Sequence, residues 1–220
     1  MTVPYRPLLA ASGLLAVAGG GMHPDADAAG SVSDDLLEMT ADPTWVAGHA
    51  LTAISAVLLA AGLWALHRSG GGLPVRTAGA VEVAAVAVSL YVVETLFHLA
   101  AVVDSDALAA GEFASVAGTH VLLSAVLYPV SGVALALLGL ALLREGRGRL
   151  RAVALAAVLG GALHAVSVPL VLLWPDTDGS PLFAGAGVLL ALWSLLTAIT
   201  GVPTRRPVAD PAPRVAQLTG

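Results

Sequence analysis

The residues able to do chemistry in this chain are ionisable side chains set inside long apolar stretches: His49, His98, His120 and His164, with Glu94 among them. Such groups are costly in a bilayer, so they turn toward the interior of a helix bundle and find partners there. Glu94 and His98 are four positions apart and share one helix face. No HExxH or HxxxH spacing occurs, so a common ligand has to be reached from several helices at once. His23, followed by Pro24 where the first apolar stretch ends, is placed to cap the outer mouth of this set but reads more readily as an ordinary loop histidine. His67 lies beside Arg68 at the opposite end of its stretch, where a solvated role suffices.

Three kinds of chemistry fit this set. The simplest is a cofactor-free polar core, in a transporter or structural protein, with each histidine hydrogen-bonded to a neighbouring helix and Glu94 protonated or paired with an imidazole. The second is haem b, whose iron takes one axial histidine from each side. His49 and His120 are the natural axial pair and His98 and His164 the second, with Gly48, Gly118, Gly160 and Gly161 leaving room for a flat macrocycle. The third is a mononuclear or dinuclear site for zinc, copper or iron, with Glu94 and His98 as ligands or Glu94 as a general base. A proton transporter needs polar groups across the whole membrane, and the inner half holds little besides Glu82.

The elements that position these residues follow from composition. Of 220 residues, 57% are hydrophobic and only 11% charged, about half the charged share of a soluble domain. The chain contains no cysteine, lysine or asparagine, which excludes disulfides, thiolate metal sites, Schiff-base chemistry and N-glycosylation. Five stretches reach the roughly 20 apolar residues a crossing needs: 43–66, 77–103, 113–143, 152–174 and 182–200. A sixth, 7–22, is shorter. It has features of a signal peptide but reads better as a retained first helix, giving an all-α bundle of six spans over residues 1–201 and a disordered tail over 202–220.

With six crossings every arginine falls on one side: Arg6, then Arg68 and Arg76, then Arg144, Arg147, Arg149 and Arg151, then Arg205, Arg206 and Arg214. The positive-inside rule makes that side, and both termini, cytoplasmic. The opposite connections hold Asp25, Asp27, Asp34, Asp35, Glu38, Asp42, Asp104, Asp106, Glu112, Asp176 and Asp178. At a rise of 1.5 Å per residue, His49, His98 and His120 lie roughly 8–10 Å below the outer boundary, and His164 and Glu94 roughly 14–15 Å. Val46-Ala47-Gly48-His49 is echoed by Val116-Ala117-Gly118-Thr119-His120, which suggests three outward-and-back hairpins. Pro129 and Pro169 should kink their helices. Trp45 and Trp174 read as belt residues at the outer interface, Trp64 as one at the inner interface, and Trp193 as a packing or lipid-facing residue.

His49, His98, His120, His164 and Glu94 give the chain a distant resemblance to haem A synthases, also helical bundles with paired histidines toward the outer face and a glutamate beside one of them. It departs from them in having six spans rather than eight and no cysteine pair. The resemblance implies an architecture and no particular activity. In overall style the chain looks like small six-span proteins of the cytoplasmic membrane in bacteria of high genomic GC content, which implies a lipid bilayer as partner, no nucleic acid and no particular substrate. Reporter fusions after Arg68, Arg147 and Arg206 should report cytoplasm, and fusions at Asp35, Asp106 and Asp178 the exterior. An exterior signal at Arg147, beside the densest arginine cluster, would overturn this topology.

Overall fold

A computed structural model describes residues 4–24, 32–69 and 73–202. Among them the regular structure is helical: α1 (Tyr5–Gly20), α2 (Val32–Ala41), α3 (Trp45–Arg68), α4 (Val75–Ala100), α5 (Ser105–Ala110), α6 (Ser115–Glu145), α7 (Arg149–Leu173) and α8 (Ser180–Thr200), with a single 3₁₀ turn, Ala101–Asp104, between α4 and α5. Five of these, α3, α4, α6, α7 and α8, are long and apolar enough to cross a membrane. They match the five long stretches of the sequence within a few residues at each end. The connection before α3, expected to be a loop, contains the helix α2. The expected disordered tail lies outside the described residues beyond Val202.

The six long helices α1, α3, α4, α6, α7 and α8 form a closed ring in which each packs against the next and α8 returns to α1. Neighbours run antiparallel. Ser12 of α1 meets Ser55 of α3, Trp64 of α3 meets Ser89 of α4, Glu94 of α4 meets Ser124 of α6, and Ser194 of α8 donates to the Leu9 carbonyl of α1. A four-helix bundle of α3, α4, α6 and α7 alone would set α3 diagonal to α6. Instead α1 and α8 stand between α3 and α7 and complete the circle. At one end the connections carry Arg68, Arg76, Arg144, Arg147, Arg149 and Arg151, and the Arg6 guanidinium lies against Gly201 there.

The distribution of side chains is that of a membrane protein. Many large aliphatic side chains face outward, among them Ile54, Val83, Leu90, Leu122, Val126, Leu137 and Leu159, while the buried positions are largely Ala, Gly and Ser. Between helices in lipid there is no hydrophobic drive, so small residues that bring backbones together supply the packing. The α6–α7 contact is the clearest case. A Cβ on Gly132 would collide with the Ala165 backbone, one on Gly161 would lie 2.6 Å from the Ala136 nitrogen, and one on Gly139 2.7 Å from the Val158 nitrogen. Gly160 is filled by Leu189 and Leu190 of α8, and Gly48 by the backbone of Met22. Of the four glycines expected to make room for a macrocycle, only Gly118 faces open space.

Two apolar clusters result. The larger occupies the arginine end of the ring and includes Leu63, Leu66, Val81, Val88, Leu138 and the fully buried Trp193. The smaller, formed by Leu36, Trp45, Ala101 and Ala117 with Met39 and Leu108 against them, caps the other end beneath α2 and α5. Gly161→Val should lower stability by about 1–3 kcal/mol through overpacking against α6, whereas Gly118→Ala should be neutral or mildly stabilising. Thermal unfolding of the two variants in detergent checks this; equal melting temperatures would refute the close approach.

Candidate functional site

Between the two apolar clusters lies a connected set of polar side chains, built helix by helix. Asp42 begins it: its carboxylate accepts from the Thr44 backbone N–H and hydroxyl, which holds its pKa below the usual carboxylate value and starts α3 at Trp45. One turn on, His49 is 2% exposed and its Nδ1 lies 2.7 Å from the Trp45 carbonyl. A carbonyl can only accept, so Nδ1 carries the proton and Nε2 keeps its lone pair. That Nε2 is buried and has no hydrogen-bond partner. Trp45 stacks on the His49 ring at 3.8 Å and donates its indole N–H to the Leu99 carbonyl of α4. Its expected place in an interfacial belt is corrected by its complete burial over the site, whereas Trp174 is exposed as a belt residue should be.

The glycines of α1 and α3 bring a further histidine in. Gly19 lies against Thr52 and the Gly48 carbonyl, so the end of α1 presses onto α3. His23 is thereby carried to 4.6 Å from the His49 ring and 6.0 Å from His98. Its Nδ1 lies 2.8 Å from the Pro24 carbonyl and must donate, which again leaves Nε2 with its lone pair. The reading of His23 as an ordinary loop residue is therefore corrected.

His98 stands at the centre. Its ring lies 4.3 Å from His49 and is stacked at 4.0 Å on His120, only 20° from parallel. Its Nδ1 is turned toward Glu94 Oε1 at 3.9 Å, and His120 Nδ1 lies 2.9 Å from the same oxygen. Ser124, one turn beyond His120, sits 2.9 Å from both Glu94 Oε1 and the His120 carbonyl, and its single proton serves one of them at a time. Glu94 is 0% exposed, and its Oε2 has no partner.

The position of His120 depends on a cap from another element. Ala114, at the N-cap of α6, offers no side-chain hydrogen bond. Asp104 substitutes for it: its Oδ2 accepts from the backbone N–H groups of Val116 at 2.6 Å and Ala117 at 3.0 Å. A carboxylate at a helix N-terminus also meets the positive end of the helix dipole.

Of the four histidines singled out in the sequence, the structure brings together His49, His98 and His120, with Glu94. His164 is not among them. It stacks on Tyr128 of α6 at 4.4 Å and meets the edge of Tyr91, which precedes Glu94 on α4 by three residues, at 5.0 Å. His67 is at the arginine end, edge-on to Trp64 at 5.8 Å. Pro169 does lie inside α7 and Pro129 inside α6, as expected. Two overlapping groups emerge, His23–His49–His98 and Glu94–His98–His120, each with its potential ligand atoms within 4.8 Å of one another.

No protein-family model matches this chain, and neither a curated protein nor a solved structure is similar to it. The function has to be read from the site itself. Asp104→Ala should cost about 1–2 kcal/mol of stability, the usual value of a lost N-cap, and Asp104→Asn distinctly less. Comparing the unfolding of the two variants tests whether this aspartate anchors α6; indistinguishable variants, both like the unsubstituted chain, would show that it does not.

Proposed function

We propose that this is a membrane protein that holds a first-row transition metal ion through His23, His49 and His98. The observation that carries the reading is the state of the ring nitrogens. His23 and His49 each commit Nδ1–H to a backbone carbonyl, and His98 turns Nδ1 toward Glu94. His23 and His49 thereby keep Nε2 for a metal ion, one ring nitrogen from each of the three histidines lies within 4.8 Å of the others, and metal-bound histidines are oriented by outer partners of this kind. A hydrogen-bonded polar core would be expected to use the Nε2 of His49, yet that buried atom has no partner. Three imidazoles without sulfur suit zinc, copper or iron, and three protein ligands leave a coordination position for water or a substrate. A role in metal handling or redox chemistry follows, with the site beside the acidic end of the ring.

Haem b between His49 and His120 is less well supported. A porphyrin needs a flat gap between its axial ligands, and the His98 ring fills that interval in contact with both. The alternative pair, His98 and His164, is divided by the stacking of His164 on Tyr128. Proton transport is disfavoured by the apolar cluster that fills the arginine end of the ring.

The six-span reading belongs to the same proposal. α1 is 16 residues, about 24 Å long, which is short for a crossing by itself. It is supported by two helical neighbours along its length, with Leu9, Ser12 and Gly13 buried between α3 and α8. Three hairpins, α1–α3, α4–α6 and α7–α8, then place every arginine connection on the cytoplasmic side of a bacterial inner membrane and the histidines near the outer face.

Protein purified in detergent, loaded with zinc and desalted should retain the metal. His49→Ala should weaken binding by more than the ~10–100-fold typical of losing an outer partner, while His67→Ala and His164→Ala should bind as before. Competition with a chromophoric chelator measures this. A protein that retains no metal, or one equally affected by His164→Ala, would contradict the assignment.

A further inference from the structure

The three-histidine site leaves one side of His98 facing a second set of ligands. We propose that Glu94, His98 and His120 bind a second metal ion, and that the His98 ring bridges the two ions through its two nitrogens. The inference rests on the metal reading above and extends it deeper into the ring.

Three features of the geometry carry it. The first is the unsatisfied carboxylate: Glu94 is 0% exposed and its Oε2 has no hydrogen-bond partner. A buried carboxylate without full pairing calls for a proton or a cation. The second is the convergence of donors. His98 and His120 are stacked nearly parallel and turn the same edge, Nδ1, toward Glu94 Oε1, at 3.9 and 2.9 Å. Two atoms each about 2.0–2.2 Å from one metal ion lie about 3–4 Å apart, so these separations need only a small rotation of the rings to become a coordination sphere. The third is the division of labour on His98. Its Nδ1 belongs to the Glu94 side, while its ring is also 4.3 Å from His49 and 6.0 Å from His23, so its other nitrogen belongs to the outer group. It is the one residue common to both ligand groups.

The protons and charges balance without a redox step. His98, neutral before binding, loses its single ring proton to solvent and becomes an imidazolate with one lone pair for each ion. His120 moves its proton from Nδ1 to Nε2 and stays neutral. Glu94 binds as the carboxylate. Two negative ligands thus accompany two divalent cations, in a region where the described residues place no arginine. Ser124 keeps its hydrogen bond either to Glu94 Oε1 or to the His120 carbonyl, which orients the inner ligands.

Copper(II) is a suitable probe, because it favours imidazole and reports on a neighbouring ion. Purified full-length protein titrated with copper and desalted should hold two ions per chain. The pair should show a weakened electron paramagnetic resonance signal through exchange across the bridge. Glu94→Gln and His120→Ala should each reduce the content from two to one and restore the full signal of an isolated copper. His23→Ala should also leave one ion, the inner one. One copper per chain in the unsubstituted protein, with a full signal unchanged by Glu94→Gln and lost in His23→Ala, would overturn the second site while leaving the first intact. No retained copper at all would defeat both. Two ions with undiminished, additive signals would overturn the bridge.

Discussion

Imidazoles and a carboxylate placed in an apolar ring of helices have to satisfy one another, and that constraint organises this molecule. At the buried positions each unpaired polar atom costs free energy. The chain meets this by concentrating the burden in one layer. Glu94, His98, His120 and Ser124 contact each other across α4 and α6, His49 turns one nitrogen to its own helix backbone, and Trp45 covers the layer from the α2 and α5 side. Below that layer the core reverts to Leu, Val and Ala. Two buried atoms escape pairing within it, His49 Nε2 and Glu94 Oε2, and these lie where a cation would be held.

Helix packing sets how closely those groups meet. Gly19 and Gly48 let α1 approach α3 until backbone atoms touch, and this is what places His23 over His49. Gly132, Gly139 and Gly161 do the same for α6 and α7 on the other side of the ring. In lipid, such backbone contact replaces the hydrophobic drive that holds a soluble bundle together. Many of the Leu and Val residues face outward, and Ala, Gly and Ser make up most of the buried positions.

Much of this was legible in the sequence because hydropathy and length dictate spans directly. The five long helices, and the level shared by His49, His98 and His120, follow from apolar runs and a fixed rise per residue. Contacts between helices do not follow in the same way. His164 has a similar depth to Glu94 but stands on α7, whose face toward α6 brings it to Tyr128 and not to the other imidazoles. Trp45 was read from its position near an interface, whereas its place four residues before His49 was the informative signal: that spacing stacks the two rings. Ser124 follows His120 by the same interval. His23 could not be assigned from local pattern, since its partners depend on the crossing of α1 over α3.

The central claim, that imidazole nitrogens of this layer coordinate a metal ion, is tested most directly by X-ray absorption at the zinc edge of zinc-loaded protein in detergent. The account predicts a first shell of nitrogen and oxygen at about 2.0–2.1 Å, with the outer scattering of at least two imidazole rings and no sulfur. A first shell of water oxygens alone, without imidazole scattering, would contradict it.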